Sequence, residues 1–419
     1  LLGTTAADAS GNWTFTPTTA LTDGSHSLTA TATDAAGNVS TASSAFTLTV
    51  DTAAPATPVI STVTDDVAPV TGTITAGGST NDANPTLTGT AEANSTISVF
   101  DGTTLLGTTT TDASGNWTFT PSTALADGSH SLTATATDAA GNVSAASTAF
   151  TLTVDTAAPA APVISTITDD VAPVTGAITD GGSTNDATPT LTGTAEANST
   201  ISIFDGTTLL GTTTADASGN WTFTPSTALA DGSHNLTATA TDTAGNVSAA
   251  SSAFTLTVDT AAPAAPVIST VTDDVAPVTG TITDGGSTND ANPTLTGTAE
   301  ANSTISVFDG TTLLGTTAAD ASGNWTFTPS TALTDGSHSL TATATDTTGN
   351  VSAASSPFTL TVDTAAPATP VISTVTDDVA PVTGAITDGG STNDAMPTLT
   401  GTAEANSTIS IFDGTTLLG

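Results

Sequence analysis

The 419-residue sequence predicts an all-β fold built as a tandem array of sandwich domains, and three observations carry that expectation. First, the pentapeptide FTLTV starts at Phe46, Phe150, Phe254 and Phe358, so successive copies are 150 − 46 = 104 residues apart, and Trp13, Trp117, Trp221 and Trp325 keep the same interval. Second, apolar residues within one copy alternate with Thr and Ser, the period-two pattern of a strand with one buried and one wet face. Third, the turn-forming clusters DGTT, DASGN, ADGSH and DAAGN punctuate that alternation, and helical periodicity is hard to find anywhere.

A period of 104 residues is too long for a solenoid turn and matches one domain with its own core, so the chain reads as independent domains in a row. Along one copy the alternating residues are Leu87 in PTLTGTAE, Ile97 and Val99 in STISVF, Trp117 and Phe119 in NWTFTP, Leu132, Ala134 and Ala136 in SLTATATD, and Phe150, Leu152 and Val154 in FTLTV. Between the second and third of these, Asp101-Gly102 reads as a two-residue hairpin turn. About seven short strands per ~100 residues describe a β-sandwich of immunoglobulin type, without a core disulfide because the chain has no Cys. A disordered Thr/Ala/Ser/Gly chain is the alternative that an aromatic content of 4% suggests, but disorder does not maintain alternation or place one Trp per period.

The Pro-rich joint VDTAAPA, where Pro forbids continued strand pairing, sets the boundaries. Complete domains are expected at 52–155, 156–259 and 260–363, with 1–51 as the C-terminal half of one repeat and 364–419 as the N-terminal half of another. The sequence thus reads as a window on a longer array. Thr73, Ala177, Thr281 and Ala385 alternate, as do Val99, Ile203, Val307 and Ile411, which suggests growth in two-domain units.

The balance is 39 acids against no Lys or Arg, a formal charge of −39 that only four His can oppose. Such a chain repels nucleic acid and anionic membrane surfaces, since binding phosphates takes Lys and Arg to displace counterions. The absence of Cys removes disulfide, thiolate-metal and Cys-nucleophile chemistry. No apolar run approaches the roughly 18 residues of a membrane span, so membrane insertion of this segment is not expected.

Threading the strands alternately down and up the sandwich collects the acids at the domain ends. One end gathers Glu92, Asp112, Asp138 and Asn142; the other gathers Asp65, Asp66, Asp82, Asp101 and Asp127, with the joint's Asp155 facing the next domain. Carboxylates brought within a few Å of one another cost on the order of a kcal/mol or more per pair, so such a joint either splays or binds a cation. Calcium suits it, taking roughly six to eight oxygen ligands from loop Asp, Asn and carbonyl groups, whereas zinc calls for His and Cys. The candidate ligands are Asp65, Asp66, Asp82, Asp138, Asn142 and Asp155 in one copy, then Asp169, Asp170, Asp186, Asp242, Asn246 and Asp259, then Asp273, Asp274, Asp290, Asp346, Asn350 and Asp363. Against this stands ordinary turn chemistry, because Asp in Asp-Gly and Asp-x-x-Gly-Asn bonds its own backbone; Asp101 and Asp127 read that way. Asp180, Asp284 and Asp388 stand where the earlier copy has Ala76, so that acid is dispensable. His26, His130, His234 and His338 sit alone in DGSH and read as satisfied loop or strand-edge side chains. No Ser–His–Asp or paired-carboxylate set stands apart from turn chemistry, and no enzyme is expected.

The combination TND-x-x-P-x-L-x-G-T-A-E, GNWTFTP and D-x-x-G-N, recurring over the whole chain, resembles the bacterial immunoglobulin-like repeats of giant secreted, RTX-type adhesins and biofilm-associated proteins. The resemblance implies an extracellular extender at the bacterial cell surface. It would lie between a membrane-retained N-terminus and distal ligand-binding domains, be exported by type I secretion, and be stiffened by calcium ions between neighbouring repeats. A carbohydrate- or partner-binding module is the competing function. It is disfavoured because Trp117 alternates with Phe119 and fits a core better than a sugar platform. An ice-binding role is weaker still, since the Thr-x-Thr faces are scattered over separate twisted domains.

Overall fold

A computed structural model describes residues 1–419, all strands and turns with no helix. The chain falls into two compact units, Leu1–Val171 with Thr175–Asp259, and Ala172–Val174 with Thr260–Gly419.

In the first unit, residues 1–51 hold one antiparallel pair, β1 (Gly24–Leu28) and β2 (Phe46–Val50). The next copy holds β3 (Val59–Asp65), β4 (Gly72–Ile74), β5 (Ser79–Thr80), β6 (Thr86–Thr90), β7 (Thr96–Asp101), β8 (Thr104–Thr110), β9 (Asn116–Phe119), β10 (Gly128–Thr137) and β11 (Phe150–Val154). They form a four-stranded sheet, β4-β3-β6-β9, and a five-stranded sheet, β5-β11-β10-β7-β8; residues 163–258 repeat both orders. All pairs are antiparallel except β5 with β11.

The core lies between the two sheets, where period-two alternation sends every second side chain. Val63, Leu87, Ile97, Val99, Leu132, Ala134 and Ala136 are fully buried and pack with Trp117, Phe119, Leu152 and Val154. Each large aliphatic side chain so placed contributes roughly 1.5–3 kcal/mol. The register sets small against large, Ile97 opposite Ala136 and Val99 opposite Ala134. Gly89 faces Trp117 across β6 and β9, and a Cβ there would lie 2.1 Å from Val59 O and 2.4 Å from the indole, so only Gly leaves room for the ring. On the outer face of the four-stranded sheet Thr residues bond across strands, Thr62 to Thr88 at 2.6 Å and Thr86 to Thr120 at 2.8 Å.

Three details differ from the sequence reading. The hairpin turn is Gly102-Thr103, because Asp101 pairs with Thr104; Gly102 takes φ +54° at the first turn position, where glycine has no steric penalty. Phe150 is only partly buried, unlike Leu152 and Val154 of FTLTV. Each full copy also has more strands than the alternation names, since β4 and β5 occupy three and two residues of what reads as a connection, one at the edge of each sheet.

In the second unit, residues 267–362 repeat the same two sheets. Residues 364–419 form a three-stranded sheet from Val371–Asp377, Gly384–Ile386 and Thr398–Thr402, plus a two-residue pair, Phe412–Asp413 with Thr416–Leu417. Ile372, Leu399 and Phe412 are exposed there.

Candidate metal centre

Two groups of predicted ligands take shape at the ends of each sandwich. At one end β3 delivers Asp65, and the short β5 brings Thr80 and Asp82 beside it. Thr80 Oγ1 donates to Asp65 Oδ2 at 2.5 Å, and Val67 N donates to Asp65 Oδ1 at 2.8 Å. Asn84 N donates to Asp82 Oδ1 at 2.8 Å, while Asp66 N reaches Asp82 Oδ2 at 3.4 Å. Asp65 and Asp82 are buried. Burial first, and then the charges of Asp66 and Asp65, push the Asp82 carboxyl above its ordinary range against the amide bonds that favour ionisation. Asp169, Asp170 and Asp186 repeat this arrangement, as do Asp273, Asp274 and Asp290 in the second unit.

At the other end the DAAGN turn organises Asp138 and Asn142. Asp138 Oδ1 accepts from Ala140 N at 2.8 Å and Asn142 N at 2.9 Å, and Oδ2 accepts from Asn142 Nδ2 at 2.8 Å. The Asn142 side chain first, with the backbone amides, holds the carboxyl below its ordinary value. Asp242 with Asn246, and Asp346 with Asn350, form the same turn. The oriented Asn then reaches beyond its own copy. Asn142 Nδ2 donates to Asp51 O at 3.1 Å, and Asn246 Nδ2 to Asp155 O at 2.7 Å, both partners being 91 residues back in the same unit. Asp155 is fixed on its own side, its N donating to Thr80 O at 3.0 Å and its Oδ1 accepting from Ala157 N at 3.1 Å. Asp259 and Asp363 donate likewise to Thr184 O and Thr288 O, both at 2.9 Å.

The joint between residues 52–155 and 156–259 therefore brings Asp242, Asn246 and the main-chain carbonyl of Asp155 together. A Cβ on Gly245 would lie 3.1 Å from Val70 Cβ and 3.5 Å from Asn81 Cγ, so the β3–β4 and β5–β6 loops close the other side. No group of three or more Asp, Glu or His side chains converges in metal-binding geometry. The donors nevertheless suit calcium in kind, being all oxygen. Asn81 Oδ1 is buried with no hydrogen-bond partner, as is Asn185 Oδ1 one copy on, and an orphaned acceptor suits a cation. Sequence reasoning named Asp82 as a candidate ligand but passed over its neighbour Asn81. It also missed the partner of each full-copy His: His130 Nδ1 lies 2.7 Å from Asp101 Oδ2, with the same pairing at His234–Asp205 and His338–Asp309. Asp127, read as turn chemistry, holds Thr156 through its N and Oγ1 at 3.0 and 2.9 Å. Asp180, absent as Ala76 one copy earlier, holds Thr255 in the same way at 2.8 Å. Trp117, Trp221 and Trp325 are 2–3% exposed, so none offers a stacking face to a sugar.

Paired sheets, a separate core in each copy and end loops rich in oxygen donors define a class, the serial immunoglobulin-type sandwich. The bacterial Ig-like domain family matches residues 2–52, 57–156, 161–260 and 265–364, and the chain belongs to that family. No curated protein matches it. Among solved structures the chain is similar to a tetra-tandem repeat in the extending region of a large adhesion protein, at 22% identity over 86% of this chain and 90% of that one, TM-score 0.26. It is also similar to fibronectin(III)-like modules of Clostridium thermocellum CbhA (16% identity, 47% and 94%, TM-score 0.29) and to the BSP domain of a biofilm-associated protein (15%, 75% and 67%, TM-score 0.18). No helix is long and apolar enough to cross a membrane.

Proposed function

We propose that this chain is a non-enzymatic extender of a large bacterial cell-surface adhesin, holding adhesive domains away from the cell in adhesion and biofilm formation. The carrying observation is that one bond across the joint recurs in the first unit. The same Asn amide of one copy bonds the main-chain carbonyl of the same Asp in the copy before it, at Asn142–Asp51 and at Asn246–Asp155. A repeated joint with a fixed bond suits a spacer, whose output is length. Many polar groups of each copy are engaged in folding it, in turns, strand-edge clamps and joints.

Small-angle scattering tests the reading. The longest strand of a sandwich, β10, has ten residues, about 33 Å at roughly 3.3 Å each, so one sandwich with its loops is on the order of 40 Å and about four arranged in series would approach 160 Å. A maximum dimension near that of a compact 419-residue globule defeats the proposal.

Calcium at the joints is the finer part of the proposal. Asp155, Asp242 and the orphaned Asn81 Oδ1 are the groups that would hold the ion, and the ion would supply counter-charge to a chain that has no Lys or Arg. Binding to the native state stabilises by about 1.4 kcal/mol per site at tenfold saturation. Millimolar calcium is expected to raise the melting temperature where sodium at matched ionic strength does not, and Asp155→Ala with Asp242→Ala is expected to remove that response at this joint. Calorimetry without millimolar calcium binding, or sodium reproducing the whole shift, ends the calcium part while leaving the extender reading to the scattering.

A further inference from the structure

We propose that each full copy is braced by one histidine carrying both ring protons, a charged strut between two acceptors that makes the stability of every copy respond to pH. His130 Nδ1 lies 2.7 Å from Asp101 Oδ2, and its Nε2 lies 2.7 Å from Ala126 O. His234 stands 2.8 Å from Asp205 Oδ2 and 2.7 Å from Ala230 O, and His338 stands 2.7 Å from both Asp309 Oδ2 and Thr334 O. A carboxylate and a carbonyl only accept. Neutral imidazole has a single N–H, so it satisfies one of these contacts and turns a lone pair toward the other acceptor; the imidazolium satisfies both.

The surroundings fit a cation. The three imidazoles are 7–10% exposed, and the second carboxylate oxygen of each partner is fixed by a backbone amide, Ser131 N on Asp101 at 2.9 Å, Asn235 N on Asp205 at 2.9 Å and Ser339 N on Asp309 at 3.0 Å. The strut ties three segments, the end of β7, the start of β10 and the loop before it. Across the sheet His130 faces apolar Leu152 on β11, and the next acid along, Asp127, is engaged with Thr156. In the second unit His338 faces Leu360, and Asp335 is engaged with Thr364. The partner aspartate is thus the one ionised group bonded to the ring. Burial alone would lower the imidazole pKa; the aspartate bond, the carbonyl bond and the aspartate charge overcome it and raise all three rings above their ordinary value.

The sign follows by linkage. The unfolded chain releases the ring proton near about pH 6.5, so the strut contributes fully below that pH and its contribution is lost as pH rises through the raised value of the fold. The composition makes the effect legible. With no Lys, Arg, Cys or Tyr, the four His and the terminal amine are the ordinary titrating groups between about pH 6 and pH 10. His26 bonds Thr22 O at 2.7 Å but has no aspartate partner, and serves as the internal reference.

Ring nitrogen NMR on the full 15N-labelled chain, read at about pH 7 and followed to about pH 9, tests the strut directly. The expected result is two protonated ring nitrogens on His130, His234 and His338 at neutrality, and loss of one on raising the pH. In parallel, the thermal midpoint is expected to fall over the same range, with about a tenfold loss in the folded-to-unfolded ratio of each copy per unit by which its ring pKa is raised. The triple change His130→Gln, His234→Gln and His338→Gln is expected to flatten that slope. A single ring proton at neutrality in the wild-type chain overturns the proposal whether or not the variant folds, and so does a folded variant that keeps the wild-type slope.

Discussion

Residues 1–51 and 105–155 are the same sequence apart from Ala6/Thr110, Ala7/Thr111, Thr18/Ser122, Thr22/Ala126, Thr41/Ala145 and Ser44/Thr148, yet they do not hold the same structure. Some features survive in both. The Asp34 turn keeps the bonds of Asp138, with Asp34 Oδ1 accepting from Asn38 N at 2.8 Å, and β1 pairs with β2 in the register of β10 with β11. Others are lost. NWTF is a strand at 116–119 and not at 12–15, and GSHSLTATAT is a ten-residue strand at 128–137 but a five-residue one at 24–28. Trp13 is 58% exposed where Trp117 is 3%, and Phe46 is 70% exposed where Phe150 is partly buried. What survives is closed within the segment itself; what is lost is whatever β6 and β7 supply by pairing, which residues 1–51 do not contain. Alternation prepares a strand, and a partner makes it.

The comparison can be broken most severely at the tryptophan. Trp117→Ala removes a buried ring from a packed core and is expected to cost about 3–5 kcal/mol in the copy that holds it, whereas Trp13→Ala is expected to stay within about 0.5 kcal/mol; local hydrogen exchange in each segment gives both numbers. Equal costs would mean that the terminal segment has found a core. A smaller effect belongs to the joint. Asn246→Ala removes the bond to Asp155 O and is expected to cost about 1 kcal/mol there, widening the spread of orientations between residues 52–155 and 156–259 in residual dipolar couplings while both sandwiches stay folded. Unfolding of 156–259 would show that the turn is part of its core. The smallest effect sharpens a natural contrast between copies. Ala76→Asp should give β11 the clamp that Asp180 gives Thr255, and raise the melting temperature of that copy slightly. The Thr255 amide and hydroxyl bonds depress the Asp180 pKa, so the gain is expected above the ordinary Asp value and lost as pH falls through the depressed one. A gain that persisted after that carboxylate is protonated would contradict the clamp.

Much of this was legible in the sequence because it depends on nearest-neighbour chemistry. Leu87, Ile97, Val99, Leu132, Ala134 and Ala136 alternate with Thr and Ser, and all six are fully buried. The turns were legible for the same reason, since Asp138 and Asn142 bond within five residues. The short β4 and β5 were not, being too brief to alternate, and their strand character comes from pairing with β3 and β11. The His–Asp strut escaped notice because register creates it. Asp101 pairs with Leu132, which leaves His130 two residues beyond the end of β7, beside the carboxylate. The reach of Asn246 across 91 residues to Asp155 O follows from the stacking of one sandwich on the next, which no local pattern encodes. The turn reading of Asp138 and its candidacy as a calcium ligand are not exclusive, since each carboxylate oxygen retains acceptor capacity.

Hydrogen exchange with mass spectrometry on the dilute, intact chain tests most directly the claim that partner strands decide which copies of a segment fold. The peptides covering 11–17 and 115–121 read GNWTFTP in both places, so intrinsic exchange rates cancel. Strong protection at 115–121 with little at 11–17 is the expected result, while the DAAGN turns at 34–38 and 138–142 stay closer to each other. Equal protection of the two GNWTFTP peptides in a monomer would contradict it.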